Sequence, residues 1–198
     1  MWLLITSALA GALFPCGAQD IMAKTASNGA LAHYERACLD GIVEQEGAFM
    51  HEASRMLLDD ASARGNRVHW SRVAARHLDR VDGTDASLNV AYARFLFASH
   101  RTEELIAFSD RALRHAPDWA DPVQSLALHR LRTSAALARW TETTVGMERV
   151  HAFARSWVEA ARDLGVEDPT ADQLCRFSGD VEDCAETISV AAADTGMP

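Results

Sequence analysis

Residues 86–119 read ASLNVAYARFLFASHRTEELIAFSDRALRHAPDW, and their periodicity decides the fold class. Leu88, Ala91, Tyr92, Phe95 and Leu96 recur at steps of three and four, which places them on one face of a helix. Ser99-His100-Arg101 interrupts that stripe. Thr102-Glu103-Glu104 then opens a second helix, its acids in the first turn, where the helix dipole favours negative charge. Leu105, Phe108, Ala112 and Leu113 make the facing stripe, which stops before Pro117 because proline lacks the N–H that a helix needs. Two amphipathic helices on so short a connection fold back on each other as an antiparallel hairpin.

The same period runs outward in both directions. Upstream, Leu31, Tyr34, Cys38 and Ile42, then Phe49, Ala53, Met56 and Leu57, describe one long helix or two meeting near Gly47, ended by Gly65-Asn66. Val68, Val73, Ala74, His77, Leu78 and Val81 form the next stripe, closed by Gly83. Downstream, Asp121-Pro122 supplies an N-cap acid followed by proline at the first helical position. Val123, Leu126, Ala127, Leu131 and Ala135 carry that helix to Arg139. A polar joint from Thr141 to Thr144 leads into Val150, Phe153, Ala154, Trp157, Val158 and Ala161, terminated at Gly165. Pro169-Thr170 opens a short helix, and Asp180 caps a last one running to Ala193. No stretch alternates with period two. The expectation is an all-α array of antiparallel helical hairpins, forming a single domain over residues 29–198.

Several residues of the quoted stretch carry a family resemblance. Ala93 stands where the tetratricopeptide repeat has a small residue in its first helix. Ala112-Leu113 match the small-then-large pair of its second helix, Pro117 its closing proline, and Glu103-Glu104-Leu105 its glutamate-rich second-helix start. The stretch resembles one such repeat, a helical hairpin of about 34 residues, and a second unit begins at Ala120 with Ala127 in the small position. Asn89 stands where a tryptophan is common and Leu105 where alanine is usual. The resemblance implies a TPR-like α-solenoid fragment with capping helices, its core at residues 86–165. Each hairpin in such an array buries its face against a neighbour. The resemblance also implies a concave wall lined by first helices, with Arg94, Phe97, Gln124 and Arg132 turned toward a partner. Guanidiniums and an apolar ring on one wall suit a protein or an acidic peptide.

The chain's start fixes the expected compartment. Residues 1–18 carry no charged side chain; Trp2–Phe14 is apolar, Pro15 breaks it, and Cys16-Gly17-Ala18 supplies small residues ahead of Gln19. That is the pattern of a cleaved signal peptide, followed by a flexible arm at residues 19–28. An apolar run of about 13 residues is too short to cross a bilayer, which takes roughly 20, so no membrane span is expected once the leader is removed. The protein is expected in the periplasm or outside the cell, with a lipidated Cys16 as the alternative. Of four cysteines, Cys38, Cys175 and Cys184 then remain. Cys175 and Cys184 flank the turn-like Arg176–Asp180 and form the natural disulfide in an oxidising compartment, stabilising by roughly 2.5–3 kcal/mol. Cys38 reads as a small buried apolar residue.

Charge and motifs narrow the function. A net charge of −9, with Lys24 the single lysine, disfavours nucleic acid and a polybasic membrane surface. The sequence has no Gly-x-Ser-x-Gly elbow and no glycine-rich phosphate loop, so neither catalytic residues nor a cofactor are expected. His51-Glu52 begins like a zinc-protease helix, but Arg55 takes the place of the second histidine. His69 and His77 share a helical face without a third ligand at recognisable spacing, so no metal site is expected. Asp59-Asp60 reads as a solvated turn, and Trp70, Trp119, Trp140 and Trp157 as packing residues. The expected function is an exported adaptor. The alternative is an all-helical small-ligand receptor or enzyme, with a pocket lined by groups such as His77, Tyr92 or His129.

Overall fold

The computed structural model describes residues 30–45, 49–143 and 146–178. The leader, the arm, the last expected helix and Cys184 lie outside the described residues, and so does the expected Cys175–Cys184 bridge. Neither described cysteine, Cys38 nor Cys175, is a free thiol. Among the described residues there are eight α-helices and one 3-10 helix and no strand, so the all-α expectation holds. No described helix is long and apolar enough to cross a membrane. Where the sequence reads as one domain, the chain's contacts fall into two compact units divided at the Val81–Asp82 bond.

The first unit holds α1 (His33–Glu44), α2 (Met50–Ala63) and α3 (Arg67–Arg80), with α2 packed against both neighbours. The first stripe is therefore two helices. Leu39, Val43, Ala53, Leu57, Ala61, Val73 and Ala74 are fully buried and make the core. Gly65 ends α2 in the left-handed region (φ 63°), letting Asn66 N donate to Ala61 O at 2.9 Å and Gly65 N to Ser62 O at 2.9 Å. That pair of bonds satisfies carbonyls the helix leaves open, at a φ that glycine adopts without a Cβ clash.

One expectation is overturned here. Asp59 is exposed, but Asp60 is buried inside the unit rather than in a solvated turn. Its Oδ1 accepts the Leu31 N–H at 2.9 Å, and its Oδ2 pairs with Arg64 one helical turn on and with Arg36 of α1 at 3.9 Å. A carboxylate taken out of water is tolerated only when its lone pairs are satisfied, and here the partners come from both sides of the α1–α2 contact. Arg76 of α3 adds a second tie to α1, through Asp40 at 2.6 Å and Glu44 at 3.7 Å.

The second unit holds α4 (Ala86–Ala98), α5 (Thr102–Ala112), a 3-10 helix (Leu113–Asp118), α6 (Gln124–Thr143), α7 (Met147–Asp163) and α8 (Pro169–Ser178). Helix α4 packs on α5 and α6, α5 on α6, α6 on α7, and α7 on α8. Ala93, Leu105 and Ala112 are all buried. Gly165 closes α7 as Gly65 closes α2, with φ 65° and Val166 N donating to Ala161 O at 2.8 Å. Leu126, Trp157, Ala161 and Ala171 gather into a core patch under α8. Trp119 is buried too, whereas Trp70 and Trp140 are half-buried, the latter edge-on to exposed Phe177 at 6.3 Å.

Two boundaries shift. Pro117 lies inside the 3-10 helix, whose tighter i→i+3 pattern continues the chain where an α-helix would clash. Asp121-Pro122 begins a turn rather than the helix: Gln124 N and Ser125 N reach back three residues to Asp121 O and Pro122 O, and α6 starts at Gln124. Val123 is consequently 47% exposed instead of in the stripe.

Replacing Asp60 by alanine strips Leu31 N–H and two guanidiniums of their acceptor, and should lower the unfolding free energy by about 2–4 kcal/mol. Asp59→Ala should leave the urea midpoint unchanged. Equal midpoints for the two variants would contradict the buried-carboxylate account.

Candidate partner-binding site

The four residues that the repeat resemblance turned toward a partner do not share one surface. Arg132 is the clearest departure, with 7% of its area exposed. It sits one turn after His129 in α6. Its Nη1 donates to Asp110 of α5 at 2.8 Å and its Nη2 to Ser156 of α7 at 3.2 Å. Nη2 also lies 3.2 Å from His129 Nδ1, and the guanidinium carbon stands 4.3 Å from the centroid of the Phe153 ring. Helix packing thus closes over a side chain that periodicity alone places on an open face. The guanidinium is taken up in tying α5, α6 and α7 together, where the resemblance had it turned toward a partner.

The network also sets the state of His129. Burial first, then the charge of Arg132, push its pKa down from 6.5 to about 4. The imidazole therefore stays neutral at physiological pH, as it must if Nδ1 is to accept from Arg132. Tyr92 is buried against Phe108, edge-on at 4.9 Å, and its hydroxyl donates to Glu104 at 3.4 Å. Burial, followed by the Glu104 charge, pushes that phenol's pKa up. His77, Tyr92 and His129 are thus interior groups, and none of them lines the open cavity described next.

Arg94 and Phe97, by contrast, are exposed one turn apart on α4. Phe97 is 42% exposed, which for an aromatic ring on a small helical unit is an uncovered apolar face. Gln124 lies at the other end of α4: its Oε1 accepts from Ser87 Oγ at 3.5 Å, and its Nε2 donates to Asp121 at 3.2 Å. Ser87 and Phe97 are ten residues apart, or about 15 Å along the helix, so Gln124 does not join the Phe97 surface.

Beside Phe97 an open cavity of about 570 Å³ lies at the mouth of the α4–α5 hairpin, reaching Ala138 and Arg139 of α6. Its charges are arranged in pairs. Arg101 pairs with Glu104 at 2.5 Å; Glu103 takes Arg139 at 3.5 Å and Arg149 at 3.3 Å. All of these groups are partly exposed, so they can exchange partners at little cost. The turn itself is strained. His100, which lines the cavity, holds φ 55°, the position where glycine usually ends a helix. Arg101 N donates to Leu96 O at 3.0 Å and His100 N to Phe97 O at 3.1 Å, so the hydrogen bonds of the turn hold the histidine there. A non-glycine residue kept in this region costs about 1 kcal/mol or more.

Sequence reasoning missed Arg101 and Arg139. Arg101 had a usable signal, since it follows Phe97 within the three-residue turn; Arg139 had none, because only the α6 packing brings it near. Comparison with family models, with curated proteins and with solved structures finds no match for this chain.

The His129 environment gives a pH test. An unfolded chain protonates this imidazole near pH 6.5, the folded protein only near 4, so between those values the unfolded state binds the extra proton. Stability is then full above about pH 6.5 and falls as the pH drops through the window, by up to about 3 kcal/mol. His129→Gln, which can still accept from Arg132, should flatten that slope in urea titrations at pH 7 and pH 4.5. An unchanged slope would contradict the assignment.

Proposed function

We propose that this chain is an exported binding module, an adaptor that takes a partner protein or acidic peptide at the hairpin-mouth surface of its second unit. The observation that carries this reading is Phe97, left 42% exposed beside an open cavity whose turn holds His100 in a left-handed conformation. Arg94 and Arg101 flank the ring along the chain. A partner would seat an apolar side chain against Phe97, and its carboxylate would take Arg101 from Glu104. The resemblance to a tetratricopeptide repeat adds support through buried Ala93 and Ala112 in a short-turn hairpin. The 20-residue α6 is longer than such a hairpin's first helix, so the reading does not rest on a regular repeat. Export rests on the uncharged leader at residues 1–18.

A small-ligand receptor is the second reading, favoured by the cavity volume, which falls within the range of small-molecule sites.

The test is a crosslinked pull-down from the envelope fraction of the source cells with the mature chain and two variants. A partner retained by wild type and Arg130→Glu, but lost from Phe97→Ala/Arg94→Glu, is the expected result. Equal capture by the double variant would contradict the surface assignment. Capture of nothing by any of the three would favour the receptor reading.

A further inference from the structure

One cavity of the second unit gathers charges of both signs beside an exposed ring. The turn after α4 is short, so Phe97 in the last turn of α4 and Glu103 and Glu104 in the first turn of α5 come to one end of the hairpin, with Arg101 between them. Helix α6 adds Ala138 and Arg139, and the space these residues surround is about 570 Å³. Two arginines and two glutamates line it, with His100 beside them. Glu103 is engaged on both oxygens, by Arg139 at 3.5 Å and Arg149 at 3.3 Å. Glu104 has Arg101 on Oε2 at 2.5 Å and the Tyr92 hydroxyl on Oε1 at 3.4 Å. We propose that this cavity binds a small zwitterion of the amino-acid class, an α-amino acid or a dipeptide with an apolar side chain. The proposal rests on the small-ligand reading of the cavity.

Charge balance selects the class. Opening the Arg101–Glu104 pair costs little, because both side chains are nearly half exposed to water. A simple anion that took Arg101 would leave the Glu104 carboxylate without its cation next to Glu103, and a simple cation that took Glu104 would leave Arg101 without its carboxylate. A zwitterion leaves neither. Its carboxylate accepts from the Arg101 guanidinium, and its ammonium donates to Glu104 Oε2. One exposed ion pair is thereby exchanged for two charge-assisted contacts. The Tyr92 hydroxyl stays on Oε1 throughout, and because Tyr92 is buried it keeps the Glu104 carboxylate at the cavity wall while Arg101 moves. The ligand's side chain lies against the exposed Phe97 ring and Ala138, the apolar part of the lining. The volume agrees, since small-molecule sites span about 300–1,000 Å³. Every group invoked belongs to the second unit.

The experiment is isothermal titration calorimetry of the full chain with L-phenylalanine and with L-alanyl-L-phenylalanine, two arms that separate amino acid from dipeptide. The N-acetylated form of each probe keeps only the negative charge, and the C-amidated form only the positive one. Binding of a free form is expected, with its two blocked forms weaker by about tenfold or more. Arg101→Gln and Glu104→Gln should each weaken the free form by a similar factor, and Arg130→Gln, an exposed α6 position outside the cavity, should not. Glu104→Gln keeps an acceptor for Tyr92, and circular dichroism of every variant distinguishes a lost site from a lost fold. Binding of neither free form overturns the proposal, as does equal binding of free and blocked forms, or of wild type and both cavity variants. Equal binding of free and blocked forms leaves the small-ligand reading standing, whereas silence from every probe counts against that reading as well.

Discussion

A buried guanidinium holds the second unit together. Arg132 reaches from α6 to Asp110 of α5 and Ser156 of α7 while lying over the Phe153 ring. Taking a cation out of water is costly unless each face of it meets a partner. Here Asp110 stays 43% exposed and keeps its own hydration, so one end of the pair remains at the water boundary. The first unit uses the opposite charge in the same way. Asp60, buried in α2, satisfies the backbone of Leu31 and two arginines. Each unit therefore has a polar centre whose partners come from adjacent helices, and that fixes register in a way that interchangeable apolar contacts do not.

This division of labour among arginines shapes what is left for recognition. With Arg132 committed to packing, the exposed groups at the α4–α5 mouth are Arg94, Phe97 and a set of guanidiniums held by Glu103 and Glu104. Such exchangeable pairs keep the surface solvated, and in the proposed adaptor an incoming carboxylate would replace an existing contact instead of filling an empty one. In the proposed adaptor, specificity would rest on the ring and on the shape of the turn. His100 is held in that turn by the backbone bonds around it, at a φ that glycine adopts more readily.

Helix positions were largely legible in the sequence because they follow from period and from stop signals. Gly65, Gly165 and Pro169 mark helix ends or starts in the structure as they do in the chain. Asp121-Pro122 misled by two residues, since an acid followed by proline suits a tight turn as well as a helix start. Polar burial was not legible. Asp60 and Arg132 each fall where a helical wheel allows either solvent or a neighbour, and only the position of another helix decides. The 5.4 Å approach of the His51 and His77 rings is hidden for the same reason, as it depends on α2 packing against α3 and not on any spacing along either. The division at Val81–Asp82 leaves no mark in composition.

The most direct test of the account is the unfolding free energy of Arg132→Ala, measured by urea titration at neutral pH beside Arg94→Ala. If Arg132 is the clamp described here, its removal costs about 2–4 kcal/mol through lost packing and unpaired partners, while Arg94→Ala unfolds with wild type. An Arg132→Ala protein as stable as wild type would contradict the account and return that guanidinium to the surface chemistry of the site.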